Sequence, residues 1–197
     1  ISREEGKKGM IRSQAFIHFN EQPFEQKWVD MVYDLAPQVD KAQSSEKDPA
    51  NKRHSDVSWI DANEKSEKLF EFIYEMVHAA NTQAKWQFDH QVIEPLQFTQ
   101  YDGDKEQRYD WHVDHFLGDI EETIRKISFT ILLNDDFEGG EFEIEAGSPV
   151  ADPRIHEIKL KKGDAVLFPS YQWHRVRPVT KGTRHSLVGW VRGPQWR

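Results

Sequence analysis

Gln107-Arg108-Tyr109-Asp110-Trp111-His112-Val113-Asp114-His115-Phe116 is the stretch on which the reading of this chain turns. In a β-strand successive side chains point to opposite faces. Read as a strand, the stretch puts His112 and Asp114 on one face and Trp111, Val113 and His115 on the other. A neutral imidazole and a carboxylate two residues apart can reach one ion together. They are two thirds of a 2-His-1-carboxylate triad, the ligand set that leaves coordination positions open on ferrous iron.

The triplet alone is weak, since a chain of this composition holds about 0.7 His-x-Asp triplets by chance. A second copy is present, His54-Ser55-Asp56. It follows a polar segment and precedes the β-rich half, so it reads as surface decoration or as a neighbour of the cleft. His112 and Asp114 lie inside that half.

Working outward, 197 residues suit one domain with a real core. Seven Trp and twelve Phe supply large buried pieces, and no Cys is present. Disulfides, thiolate metal sites and cysteine nucleophiles are therefore excluded. A metal must be held by His, Asp or Glu, which suits iron or manganese better than structural zinc. Net charge is −8, unevenly spread: residues 150–197 carry ten Lys and Arg against three Asp and Glu. The acidic remainder argues against a general nucleic-acid binder. No apolar run approaches the ~20 residues of a membrane span. The expectation is a soluble, cytoplasmic protein. Residues 1–9 read as a vector-derived or disordered lead before Met10.

A short strand is expected within 14–19, then a helix over about 21–35 with Asn20 as its N-cap. Residues 36–53 are a polar loop and a lid candidate, as is 102–108. A strand at 56–60 precedes the clearest helix, about 62–80, with Asp61 and Glu64 as a capping box. Its apolar stripe of Leu69, Phe72, Ile73, Met76, Val77 and Ala80 is core. From Lys85 onward only short strand-like segments follow: 85–89, 93–101, 108–116, 126–133, 141–145, 156–160, 164–168, 173–178 and 184–192. Strands without intervening helices indicate a sandwich or barrel. The expected fold is α+β, with a double-stranded β-helix (jelly roll) core at 85–194 and N-terminal helices at 20–82 packed on one sheet.

An ordered set of pieces then carries a resemblance. It comprises Tyr101, Tyr109, His112-x-Asp114, Gly139-Gly140-x-Phe142, Gly163-Asp164 through Phe168-Pro169, His174-x-Val176-x-Pro178-Val179 and Arg184. In that order the chain resembles the iron(II)- and 2-oxoglutarate-dependent dioxygenases, in the prolyl-4-hydroxylase-like branch of bacterial and phage type. The resemblance spans about Leu96 to Pro194, so residues 10–197 read as one such domain.

The resemblance implies iron held by His112, Asp114 and His174. It implies the far carboxylate of 2-oxoglutarate on Arg184, whose planar fork suits it, with Tyr101 and Ser186 beside it. Some relatives place a tyrosine where this chain has Leu132; Thr130 or Ser186 substitutes. Tyr109, Trp190 and Arg177 are candidates to line the substrate. The implied chemistry consumes O2 and 2-oxoglutarate, releases succinate and CO2, and hydroxylates an unactivated C–H bond, with ascorbate as reductant. The branch points to a prolyl residue of a peptide or protein. A free amino acid or small metabolite is the alternative substrate. A jelly-roll binding module that retains a metal without turnover is the alternative of another class. Nucleic-acid demethylation is disfavoured, because the DNA-repair oxygenases carry a second arginine at closer spacing.

Overall fold

A computed structural model describes residues 13–36, 40–41, 53–115, 121–146 and 154–196. The lead expected at 1–9 and most of the loop expected at 36–53 lie outside them. In chain order come strand β1 (Ile17–Phe19), helix α1 (Gln26–Leu35), β2 (Asp40–Lys41), β3 (Arg53–His54), β4 (Asp56–Ile60) and helix α2 (Glu67–Gln83). Then follow β5 (Val92–Ile93), β6 (Leu96–Asp102), β7 (Arg108–His112), β8 (Thr123–Leu132), β9 (Phe137–Gly139) and β10 (Phe142–Glu145). The chain closes with β11 (Ile155–Ile158), β12 (Ala165–Pro169), β13 (His174–Val176) and β14 (Val179–Pro194).

The strands form two antiparallel sheets in a jelly-roll-like arrangement. The larger has the order β1-β12-β8-β14-β6-β4-β2, with β5 and β9 also paired to β14; the smaller is β11-β10-β13-β7-β3. Alternation along β8 explains the layering. Ile127, Phe129 and Ile131 join one hydrophobic cluster with Val29 and Val32 of α1 and Leu69, Ile73 and Val77 of α2. Ser128 and Thr130 take the opposite face, toward the smaller sheet. On β12, Ala165 and Leu167 belong to the helix-side cluster. Val166 and Phe168 join a second cluster with Phe142, Ile144 and Val176 of the smaller sheet. A strand buried on both faces reads as an unbroken apolar run, which is how Ala165-Val-Leu-Phe-Pro reads.

Local departures from expectation have local causes. Helix α1 starts at Gln26, not near 21. Phe24 N–H bonds to the Gly163 carbonyl at 3.2 Å and its ring is buried beside Phe72, which holds the chain extended before the helix. The Asp61–Glu64 capping box gives way to a turn in which Asn63 Oδ1 accepts from Lys65 N–H, and α2 begins at Glu67. The strand expected at 85–89 does not form. Lys85 and Gln87 have positive φ, and the Asn81 side chain bonds both the N–H and the C=O of Phe88. The 102–108 lid candidate is a closed turn: Asp102 Oδ1 caps a 3-10 helix at Gly103–Lys105, and the buried Gln107 side chain bonds Asp102 N–H. The segment expected at 184–192 begins earlier, at Val179, and is one sixteen-residue strand, β14.

Candidate metal centre

His112 ends β7, and β13 runs antiparallel beside it with His174 directly opposite. Directly opposed residues of an antiparallel pair have neighbouring side chains, and the two imidazole centroids are 4.1 Å apart. Asp114 lies past the strand end, so strand alternation does not place it. Its N–H, and that of His115, bond to the Ser170 carbonyl at 2.9 and 3.1 Å, which fixes the turn after β12 against the end of β7. Asp114 Oδ1 is then 3.9 Å from His112 Nε2, and Oδ2 is 3.6 Å from His174 Nε2. One ligand atom from each of the three side chains falls within 4.8 Å of the others.

The second nitrogen of each ring is also committed. His112 Nδ1 is 2.7 Å from the Asp110 carbonyl, and His174 Nδ1 is 2.9 Å from that of Gln172. A carbonyl only accepts, so each Nδ1 carries the proton and each Nε2 offers a lone pair to the centre. Burial, then the neighbouring His174, push His112 down to about 3, so its ring is neutral at physiological pH. Burial pushes Asp114 up, but the two histidines, a hydrogen bond from Ser128 and the Arg125 charge outweigh it and hold the carboxyl below its ordinary range. Neutral imidazoles and an ionised carboxylate are the forms that bind a metal.

Arg184 stands opposite Tyr101 in the β14–β6 register, its guanidinium carbon 5.7 Å from the Tyr101 ring centroid. It is 1 % exposed, and neither Nε nor Nη1 has a hydrogen-bond partner. Burial lowers its proton affinity, offset in part by Tyr101. Ser186, two residues on and on the same strand face, is equally buried with its Oγ unpartnered. An uncompensated buried guanidinium is costly. Two unused N–H groups beside a free hydroxyl are the donor set for a carboxylate. A divalent ion, one carboxylate and one guanidinium together leave two positive charges, which suits a dicarboxylate dianion.

The remaining expected residues divide. Thr130 is buried on the inner face of β8, and Leu132 is paired with Ser186. Tyr109 stacks on His112 at 3.5 Å between centroids and 11° between planes. Trp190 is buried beneath Arg125, whose guanidinium carbon is 4.0 Å from its ring centroid. Arg177 stands apart: it is exposed, alternates away from His174 and is paired with Glu141 and Glu143. His54-Ser55-Asp56 is not plain surface. β3 pairs with β7, Ser55 is buried, and Asp56 Oδ2 accepts from Gln107 at 3.4 Å.

Two contributors escaped the sequence reading. Ser128 shares the inner face of β8 with Thr130, so alternation from Thr130 would have reached it. Gly140 entered only as part of the Gly139-Gly140-x-Phe142 piece, with no role in the site assigned to it. A Cβ there would stand 2.8 Å from Arg184 Cδ and 2.9 Å from Val179 Cγ2, so its bareness makes room for the arginine. That proximity had no local signal.

Residues 96–192 match the family model described as the 2OG-Fe(II) oxygenase superfamily. Curated relatives include a PKHD-type hydroxylase of Idiomarina loihiensis, 37% identical over 103 residues, and one of Psychrobacter sp., 43% identical over 108 residues. Each match covers 51% of this chain but only 45% and 38% of the respective relative. The chain therefore spans less than half the length of these relatives. Among solved structures, a Pseudomonas putida prolyl-4-hydroxylase superposes with TM-score 0.65 at 18% identity, covering 93% of this chain and 94% of that one. The viral collagen prolyl hydroxylase of Paramecium Bursaria Chlorella virus-1, in its 2OG complex, gives TM-score 0.67 at 17% identity, covering 91% and 97%. At such identities the likeness establishes the fold alone.

Proposed function

This chain belongs to the 2OG-Fe(II) oxygenase superfamily, and from that premise we propose that it is an iron(II)- and 2-oxoglutarate-dependent dioxygenase hydroxylating an unactivated C–H bond. The observation that carries the reading is Arg184, buried, unpaired and flanked by Ser186, on the strand layer facing the His112–Asp114–His174 set. His112, Asp114 and His174 would hold iron through two Nε2 atoms and a carboxylate oxygen. Ferrous iron bound there would supply the oxygen activation that no side chain can. Arg184 and Ser186 would bind the far carboxylate of 2-oxoglutarate, and Thr130 and Tyr101 would wall its chain. The carbonyls of Asp110 and Gln172 hold the imidazoles in the binding tautomer, and Ser128 orients Asp114. Phe168, 4.5 Å from His174 between ring centroids, and Phe142, 5.8 Å away, keep water from that flank.

A prolyl residue of a peptide or protein is the substrate we favour. It is supported by the relatives being PKHD-type hydroxylases and the structural neighbours prolyl hydroxylases. The same reading takes ascorbate as the reductant and the cytoplasm as the setting. The test is succinate formation from 2-oxoglutarate with ferrous iron, alongside mass spectrometry of proline-containing peptides and free amino acids. A peptide gaining one oxygen atom is the expected result. A gain only on a free metabolite would overturn the peptide substrate. Bound iron with no succinate under any condition would favour a binding module.

A further inference from the structure

The distribution of ion pairs singles out one side chain that the proposed chemistry leaves without a role. Among the described residues, Arg108, Arg125, Arg154, Arg175, Arg177 and Arg192 each have a carboxylate within salt-bridge distance. Arg184 and Arg53 have none there. In a chain of net charge −8, acidic partners are plentiful, so an arginine without one marks a place where the fold keeps carboxylates away. At Arg184 the dicarboxylate of the proposed reaction would account for it. At Arg53 nothing yet does.

Arg53 lies beside the metal centre. On β3 it stands opposite Tyr109 of β7. Its guanidinium carbon is 5.1 Å from the Tyr109 ring centroid, and that ring is the one stacked on His112. Nη2 donates to Gln97 Oε1 at 2.5 Å and Nε to Ser55 Oγ at 2.9 Å. Gln97 is buried on the face of β6 shared with Thr99 and Tyr101, and Thr99 donates to the same Gln97 oxygen at 3.2 Å. Two neutral acceptors and an aromatic face therefore fix the guanidinium without neutralising it. They engage two of its five N–H donors. A half-buried cation held rigid by neutral groups, with donors to spare, is prepared for a bidentate anion.

We propose that Arg53 is a specificity-determining residue that receives a carboxylate of the prime substrate, so that the C–H bond to be hydroxylated lies next to an anionic group. The inference rests on the dioxygenase reading and deepens it. The carboxylate has two possible sources with the same chemistry. One is the α-carboxylate of a free amino acid or of a peptide ending at the target residue. The other is an Asp or Glu side chain flanking the target within a peptide.

The experiment measures equilibrium binding to the iron- and 2-oxoglutarate-loaded protein under anaerobic conditions. The probes are free L-proline and L-prolinamide, a peptide ending in proline as acid and as amide, and an internal-proline peptide flanked by Glu or by Gln. With the wild type, a carboxylate form should bind about tenfold tighter than its neutral isostere, as a charge-assisted bidentate contact implies. Whichever pair shows the difference identifies the source. In Arg53→Gln the difference should vanish, while Arg53→Lys should keep part of it. The wild-type comparison needs no variant, so it stands even if Arg53→Gln folds poorly. Equal binding of each acid and its isostere by the wild type would overturn the proposal, as would no binding of any carboxylate probe. It would also fall if Arg53→Gln weakened acid and amide alike, since that marks a structural tie between β3 and β6. A variant that weakened only 2-oxoglutarate would sink it too. The dioxygenase reading fails separately, by absence of succinate from the wild type.

Discussion

In the proposed reaction Arg184 is the residue on which cosubstrate recognition would rest. Replacing it with Lys keeps the charge but loses the planar fork and two buried donors. We expect Arg184→Lys to raise the KM for 2-oxoglutarate about ten- to a hundredfold, the worth of ~1.5–3 kcal/mol for a bond to a charged group. Steady-state succinate formation at varied 2-oxoglutarate reads this directly. Gly140 tests the same point from the neighbouring backbone. It has φ of +66°, and a methyl would press on Arg184 Cδ. Gly140→Ala should cost about 1–2 kcal/mol of stability for the strained backbone and also raise that KM several-fold. Gly163→Ala is the control. Its φ is +86° and its Cβ would meet the Phe24 carbonyl, away from Arg184, so only stability should fall. At this scale the three metal-binding candidates and Arg184 were legible because the chemistry restricts them to few residue types. The reason Asp114 reaches the centre was not, since it depends on the Ser170 carbonyl, fifty-six residues away in sequence. Arg53 was illegible for the same reason. Its meaning comes from the acidic partners it lacks, which no local pattern records.

Among the elements, β14 ties the molecule together, and one carboxylate shows how. Glu94, between β5 and β6, accepts from Arg125 of β8 at 2.8 and 2.5 Å and from Arg192 of β14 at 3.1 Å. Burial pushes its carboxyl up, but Arg125 and then Arg192 outweigh this and hold it below the ordinary value of 4.5. A carboxyl whose folded value is depressed contributes stability that is present above the unfolded value and lost as pH falls through the folded one. Glu94→Gln should therefore cost about 1–2 kcal/mol near neutrality, and the gap from wild type should close as pH drops below about 4. Urea unfolding of both proteins at neutral and acidic pH checks this, and a gap that widened in acid would contradict it. Strands such as β4 and β12 were legible because alternation or an unbroken apolar run survives in a short window. The helix starts were displaced because other bonds compete with the expected caps: a tertiary one, Phe24 to Gly163, and a local turn, Asn63 to Lys65. β9 was missed because three residues ending at the Gly pair show no period, and its pairing with β14 lies forty residues on.

At the scale of the whole molecule the candidate centre is a joint between sheets. His112 and His174 belong to the smaller sheet, and Arg184 and Ser186 to β14 of the larger. Asp114 is tied through its N–H to Ser170 just past β12, whose Oγ accepts from Ser128 of β8 at 2.9 Å. Iron and 2-oxoglutarate together would thus clamp the two layers, and binding to the folded state alone adds stability by mass action, about 2.7 kcal/mol at a hundredfold excess over Kd. For a chain of this size that is about 5–10 °C in Tm. Because the cosubstrate must reach both the ion and Arg184, the increments should not be independent. Metal alone should raise Tm, 2-oxoglutarate alone should do little, and the two together should exceed the sum of the separate shifts. In Arg184→Lys the metal increment should persist while the further 2-oxoglutarate increment shrinks. Thermal scans under anaerobic conditions, with a chelator to reverse the effect, measure all four states. A shift from 2-oxoglutarate that was the same with and without metal would mean that the guanidinium and the His–Asp–His set do not share a ligand.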